Sequence, residues 1–304
     1  MNSRALRTAS VAGALVVALL RAPPASAHHE ALFGPQSSLA VESDGFVSLQ
    51  NHVRAYGTNG TQTQENIFIL SGGLSPISGV PWTVTLVQPL TIQTTRQPTP
   101  PGTTGPFSAC DGCLARENNL VATSYRFDIP SLQRAFGKDG NFALLSAALE
   151  PPTGNKDYRT FDGPFNFILA GMLGVEHRSF STVALGYFRR NTPDATSSKK
   201  GDNFLLGIGF AWTPIDTADR MLSFQLGFGD EYHLPDVDHG ANIGGGNEIL
   251  VSPTLVGSPM KHLRFFVLAT LPLAQSYSAD YQVDRWRAGI GAIYTFDREP
   301  SPSR

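Results

Sequence analysis

The sequence contains few charged residues and few cysteines. Charged residues make up 16% of the chain, against about 25% in an ordinary soluble domain. The formal net charge is only −2, which excludes a nucleic-acid-binding protein whose affinity depends on a basic surface. The two cysteines are too few for a small fold that several disulfides hold together.

Long apolar runs are also missing. The run Val11–Leu20 has about 10 residues, well below the roughly 20 that a membrane-spanning helix needs. Arg4 and Arg7 precede it and Ala25-Ser26-Ala27 follows it, an order typical of a cleaved secretory signal peptide. The sequence therefore predicts export and no transmembrane helix, with an uncleaved N-terminal anchor as the alternative.

Aromatic residues are plentiful, and bulky residues recur at every second position. The chain has 19 Phe, 8 Tyr and 3 Trp, enough to exclude a disordered chain. In the segment 286–296, bulky residues occupy one face. The opposite face carries Arg287, Gly289, Gly291 and Thr295, with Ile293 as the exception. Alternation over so many residues predicts a strand. The bulky face of this segment consists of Trp286, Ala288, Ile290, Ala292, Tyr294 and Phe296.

About twelve segments share this pattern. Most have roughly 9 to 13 residues, longer than the usual 5–6 of globular strands. Eleven residues at about 3.3 Å each, tilted by about 40°, rise about 28 Å, which matches the apolar band of an outer-membrane barrel. We therefore predict an all-β fold, an antiparallel transmembrane β-barrel of about 12 strands of the bacterial outer-membrane type. The predicted strands start near Phe46, Glu65, Pro81, Glu117, Asn141, Pro164, Arg178, Asp202, Arg220, Gly246, His262 and Arg285.

The connections between these segments alternate between short and long, as in bacterial barrels. Links 73–81 and 214–219 are short and links 93–117 and 231–245 are long, whereas the link 131–140 fits the alternation least well. An even number of strands with both barrel ends in the periplasm follows. The predicted organisation is a signal peptide (1–27), an N-terminal periplasmic segment (28–45), the barrel (46–296) and a C-terminal tail (297–304).

Two stretches carry a family resemblance. The first is Ala147–Gly154, which ends in Pro-Pro-Thr-Gly, and the second is the C-terminal strand with Gly291, Tyr294 and Phe296. Together with the strand pattern they resemble the outer-membrane proteins of the phenol meta-pathway (MetA-like) family. The resemblance implies an outer-membrane barrel and the passage of small hydrophobic or aromatic compounds, but no catalytic residue. The Pro-Thr-Gly stretch also reads simply as a strand terminator and turn.

Four charged residues are predicted to line the lumen: Arg264, Arg285, Arg287 and Glu176. A basic lumen favours anions. The alternative is structural, since charges inside a barrel also pair across strands and hold its shape.

Cys110 and Cys113 form a C-x-x-C motif in the longest predicted outer loop. Outside the cytosol, a local disulfide is the first expectation. A metal site ranks second, and a redox role ranks third because no flanking helix would stabilise a thiolate.

Two groups of residues are candidate metal ligands. His28 and His29 would lie at the mature N-terminus, where nitrogen donors suit Cu(II), Ni(II) or Zn(II). Asp236, Asp238 and His239 lie in an acidic segment, 230–242, interpreted as a loop, and closely spaced carboxylates are typical of calcium loops. A mobile tail and a hydrated surface loop are the respective alternatives and are preferred, so no cofactor is expected, and a divalent metal is the one alternative considered.

The functional prediction is an outer-membrane channel or transporter for a small solute. No G-x-S-x-G, H-E-x-x-H or P-loop motif is present, so an enzyme is not expected. The expected partners are outer-membrane lipid, the solute and, during insertion, the barrel-assembly machinery, with no nucleic acid. The alternatives are a metal-ion-binding barrel, a soluble periplasmic β-sandwich and a membrane-embedded enzyme.

Overall fold

A computed structural model describes most of the predicted barrel. The described residues are 44–57, 63–77, 79–95, 114–129, 141–154, 165–177, 179–193, 197–217, 219–238, 240–278 and 283–296. The predicted signal peptide, the C-terminal tail, both cysteines, His28, His29 and His239 lie outside these residues.

Twelve long strands build one barrel, which confirms the predicted fold and strand number. They are β1 (Gly45–Gly57), β2 (Thr63–Leu74), β3 (Trp82–Thr95), β5 (Leu120–Asp128), β6 (Phe142–Glu150), β7 (Asn166–His177), β8 (Phe180–Arg190), β9 (Asn203–Asp216), β10 (Met221–His233), β13 (Gly246–Met260), β14 (Leu263–Tyr277) and β15 (Val283–Phe296). Among the residues that the structure describes, three further strands are short. They are β4 (Leu114–Arg116), which pairs with β3 beyond the end of β5, and the hairpin of β11 (Asp236–Asp238) and β12 (Ala241–Ile243).

The pairing of the long strands forms a closed circle. Each long strand pairs antiparallel with its neighbours, and β1 pairs both with β2 and with β15. The chain therefore meets itself where Gly45 lies opposite Phe296. A closed circle leaves no unpaired edge among the long strands, and it excludes the two-sheet sandwich considered as an alternative.

The barrel is apolar outside, and its inner face carries both polar and apolar side chains. Each of the twelve long strands exposes at least one large apolar side chain, for example Phe224, Leu226 and Phe228 on β10. Their neighbours Ser223 and Glu231 point the other way and are buried. This arrangement follows from the period-two alternation, because successive side chains of a strand lie on opposite faces. The described residues contain no helix long and apolar enough to cross a bilayer.

The two ends of the barrel differ in their connections. We call the end where β1 begins and β15 ends the short-turn end, and the opposite end the long-loop end. Among the short-turn links, 129–141 is the longest, and at the long-loop end the link 58–62 is short for its position. The other short-turn links are 75–81, 178–179, 217–220 and 261–262, and the other long-loop links are 96–113, 151–165, 191–202, 234–245 and 278–282.

Candidate functional site

A group of charged side chains lies inside the barrel at its long-loop end. We call it the Arg287 cluster; its members are Arg54, Glu231, His233, Glu248, Asp284 and Arg287. All three guanidinium nitrogens of Arg287 donate to carboxylates. Nη1 reaches Glu231 Oε2 at 2.8 Å, Nη2 reaches Glu248 Oε1 at 2.6 Å, and Nε reaches Asp284 Oδ2 at 2.5 Å.

The remaining members surround this centre. Arg54 Nε donates to Asp284 Oδ1 at 2.5 Å, so Asp284 accepts from both arginines. A ring nitrogen of His233 lies 3.1 Å from Glu231 Oε1, and Gln275 Nε2 donates to Glu248 Oε2 at 2.8 Å. The carboxylates of Glu231, Glu248 and Asp284 are almost fully buried. Buried charges of this kind are stable only while each keeps its partners.

Two local features of the strands assemble this cluster. In β15 a bulge interrupts the pairing with β1, where Ala55 lies opposite Trp286 and Tyr56 lies opposite Asp284. The bulge brings Asp284 and Arg287, three residues apart, onto the same inner face. In β10 the strand continues to His233, so Glu231 and His233 belong to a strand and not to the predicted acidic loop.

The four predicted lumen charges do not come together. Arg287 lies at the centre of the cluster, but Arg285 is the extra residue of the bulge and its side chain is exposed. Arg264 is half-buried on β14 near the short-turn end, and Glu176 is exposed near the same end of β7. The carboxylates that do contact Arg287 lie elsewhere. Glu231 is on β10, Glu248 is on β13, and Asp284 is on the other side of the bulge in β15. Period-two alternation alone therefore does not identify them as its partners.

A second charged pair lies across the lumen from this cluster. Arg189 Nη2 on β8 lies 2.7 Å from Glu150 Oε2 on β6, and both side chains are buried. Asn166 on β7, the strand between them, donates to the same carboxylate oxygen at 3.5 Å. In a circle of twelve strands, β7 is opposite β15.

One half of the lumen is filled by apolar side chains. The cluster extends over β2, β3 and β5–β8, and Leu120, Ile168 and Val87 in it are at most 1% exposed. Side chains packed in this way leave few voids between them. The members of this apolar cluster are Ile67, Ile69, Val87, Leu120, Ala122, Ala148, Ile168 and Tyr187.

The inner face along β8, β9 and β10 is less deeply buried than this apolar cluster. The inner-face residues Val183, Leu185 and Gln225 are only half-buried there. Two inner-face glycines leave space beside them. A Cβ atom added to Gly209 would meet only the backbone oxygen of Val183, at 4.0 Å, and one added to Gly227 would come no closer than 3.6 Å to its neighbours. This half-buried inner face, which we call the β8–β10 path, is apolar on β8 and carries the polar side chain of Gln225 on β10.

The Pro151–Gly154 stretch behind the family resemblance has a structural role. It follows the end of β6 and forms hydrogen bonds with residues 118 and 119, which lie between β4 and β5. Asn119 N donates to Thr153 Oγ1 at 2.8 Å, and Gly154 N donates to Asn118 Oδ1 at 2.8 Å. A Cβ atom on Gly154 would lie 2.9 Å from backbone atoms of residues 116–118. Glycine is therefore required for this close approach of two chain segments.

Two loops are joined at the long-loop end. Gly201 N donates to Asp236 Oδ1 at 2.7 Å, and Leu234 N donates to the backbone oxygen of Asp202 at 3.0 Å. Burial raises the pKa of Asp236, and the hydrogen bond from Gly201 opposes that rise. Asp236, a predicted cation ligand, thus joins two loops; Asp238 follows it in β11.

Replacing Gly201 by alanine is expected to separate these loops. The added Cβ atom would lie 1.7 Å from Leu234 O, so the segment 234–238 must move. Overpacking of this kind costs about 1–3 kcal/mol, which corresponds to roughly 5- to 150-fold faster proteolysis within the loops of the folded barrel. Gly257→Ala is the control, because nothing lies within 4 Å of its added Cβ atom. Equal cleavage rates in the two variants would contradict the expected contact.

Comparison with known proteins establishes the fold. No family model and no curated protein matches the chain. Among solved structures, the COG4313 outer membrane channel from Pseudomonas putida F1 is similar at 11% identity with a TM-score of 0.61, covering 83% of this chain and 94% of that chain. The beta domain of the Bordetella autotransporter BrkA is similar at 11% identity with a TM-score of 0.52, covering 84% and 100%. The chain therefore has the fold of an outer-membrane β-barrel.

Proposed function

We propose that the protein is a channel or transporter of the bacterial outer membrane that passes a small solute with an apolar, for example aromatic, part. The observation that carries this proposal is the half-buried inner face of the β8–β10 path, inside a barrel that exposes large apolar side chains on all twelve long strands. The proposal includes export through a cleaved signal peptide, insertion by the barrel-assembly machinery, and the long-loop end outside the cell.

The lining of the path supports an amphipathic solute. Val183 and Leu185 offer apolar contacts on one side, and the half-buried Gln225 on β10 offers a polar side chain on the other. A small aromatic compound with one polar group matches both sides. This agrees with the resemblance to the MetA-like family, which we propose as the relationship of this chain. The proposed role is passage without chemical conversion.

The test is to block the path from within. Gly209→Trp places a large ring on the inner face, where the added side chain has open space at its base. We expect the conductance in planar bilayers, and the swelling rate of proteoliposomes in phenylalanine, to fall at least about twofold, because the ring occupies a narrow lumen. Gly257→Trp, on the outer face of β13, is expected to leave both unchanged.

The same assay tests the class of solute. In the unmodified protein, phenylalanine is expected to enter proteoliposomes faster than glutamine, because the apolar contacts of Val183 and Leu185 favour the aromatic side chain. Equal rates would contradict the amphipathic solute. Absence of conductance and of swelling for both compounds would contradict the channel itself.

A further inference from the structure

Three metal-ligating side chains converge inside the Arg287 cluster. The ligand atoms of Glu231, His233 and Glu248 all lie within 4.8 Å of one another, and all three residues are buried. Donor atoms around one bound ion have comparable separations, since metal–ligand bonds measure about 2.0–2.6 Å. We infer that Glu231, His233 and Glu248 bind a divalent transition-metal ion of the Zn²⁺ class.

Strand geometry fixes these three ligands. Glu231 and His233 are two residues apart in β10, so both face the lumen. Glu248 in β13 lies directly opposite Glu231 in the register. Like charges placed directly opposite each other in paired strands repel. Arg287 supplies one positive group between these carboxylates, and a bound cation would supply a second.

Neighbouring donors hold the carboxylates from the far side. Arg287 binds Glu231 through Oε2, which leaves Oε1 turned toward the ring nitrogen of His233 at 3.1 Å. On Glu248, Arg287 binds Oε1 and Gln275 binds Oε2. Outer partners of this kind orient the ligands of a metal ion. On metal binding we expect Arg287 to keep its contacts, and Glu248 Oε2 to exchange Gln275 for the ion.

The charge of the cluster also favours a cation. Arg54 lies over the ring of Tyr56 at 4.9 Å, and the Tyr56 hydroxyl donates to Glu65 Oε1 at 2.9 Å, which joins Glu65 to the cluster. The connected side chains then include four carboxylates, Glu65, Glu231, Glu248 and Asp284, and two guanidinium groups, Arg54 and Arg287. When all four carboxylates are ionised and His233 is neutral, as metal binding requires, four negative and two positive charges differ by the charge of one divalent ion.

The donor set selects the type of ion. Imidazole nitrogen suits Zn²⁺ and similar transition metals, and Zn²⁺ also accepts carboxylate oxygen. Calcium takes six to eight oxygen ligands and gains little from imidazole. We therefore expect Zn²⁺ to bind more tightly than Ca²⁺.

The test is calorimetric titration of the detergent-folded full chain with Zn²⁺ and, separately, with Ca²⁺. We expect His233→Gln to weaken the binding of one Zn²⁺ per barrel by at least about tenfold, the scale set by perturbed metal sites. His262→Gln, a half-buried histidine near the short-turn end, serves as the matched control and retains that binding. A variant with both His28→Gln and His29→Gln also retains it, which separates this site from the N-terminal histidines.

Several results would overturn the inference. Unchanged Zn²⁺ affinity in a His233→Gln variant that still shows heat-modifiable gel mobility would do so, and so would loss of all Zn²⁺ binding in the variant lacking His28 and His29. Equal affinities for Ca²⁺ and Zn²⁺ would contradict His233 as a metal ligand and so overturn the inferred site. If His233→Gln does not fold, the unmodified barrel must unfold at a higher temperature in Zn²⁺ than in EDTA; equal temperatures would overturn the site.

Discussion

Replacing Arg287 by alanine is expected to lower the free energy of unfolding by about 3–5 kcal/mol. Arg287 contributes hydrogen bonds to Glu231, Glu248 and Asp284, and its removal leaves these buried carboxylates with too little positive charge nearby. The measurement is equilibrium unfolding by guanidinium in lipid vesicles that contain EDTA, so that no metal ion replaces the lost charge.

The control for this prediction is two residues away. Arg285→Ala removes the same side chain from the same strand, but Arg285 is exposed at the bulge. Its effect is expected to stay within about 0.5 kcal/mol, as for most surface substitutions. Adding Glu231→Gln to Arg287→Ala is expected to restore part of the loss, since it removes one of the uncompensated charges. Equal destabilisation by Arg285→Ala and Arg287→Ala would contradict the central role of Arg287.

Replacing Ile290 by arginine is expected to destabilise the barrel in lipid by about 2–4 kcal/mol. Ile290 is 56% exposed in the middle of β15, and its strand partners are Asn51 and Val267. On a protein surrounded by water, an arginine at so exposed a position would change the free energy of unfolding little. The loss is therefore specific to a side chain that contacts hydrocarbon.

Leu273→Arg is the matched variant at the edge of the apolar belt. Leu273 is 61% exposed near the long-loop end of β14. The cost of arginine falls to about 0–1 kcal/mol near the membrane interface. The free energies of unfolding of both variants in vesicles, compared with that of the unmodified protein, show how the cost of arginine depends on depth in the membrane. Identical costs at the two positions would contradict a membrane belt centred near Ile290.

The alternation of residues predicted the barrel because it depends on local geometry alone. Phe204, Phe210 and Trp212 share one face of β9, and the structure places the latter two on the exposed surface. The glycines between them face the lumen, where Gly209 leaves open space. A strand must place alternate residues on opposite sides, so no knowledge of its neighbours was needed.

The Arg287 cluster depends on features that one strand does not contain. Arg54 and Asp284 come together because β1 and β15, the first and last long strands, pair with each other. Neither glycine nor proline marks the bulge at Arg285, so the strict alternation placed that side chain in the lumen. Glu231 and His233 looked like loop residues because Asp230 and neighbouring acidic residues follow the apolar part of β10. Cross-strand register would have been required to find these contacts.

The seam between β1 and β15 has a consequence for the order of folding. It joins residues from opposite ends of the barrel sequence, Gly45 with Phe296 and Gly57 with Val283. The other pairs of long strands are adjacent in the order of long strands along the chain, so they close much shorter loops. Because loop closure costs conformational entropy before contacts repay it, the seam is the most non-local contact to form. Until it forms, two long strands expose unpaired backbone, and the incomplete barrel is most prone to aggregate at that stage.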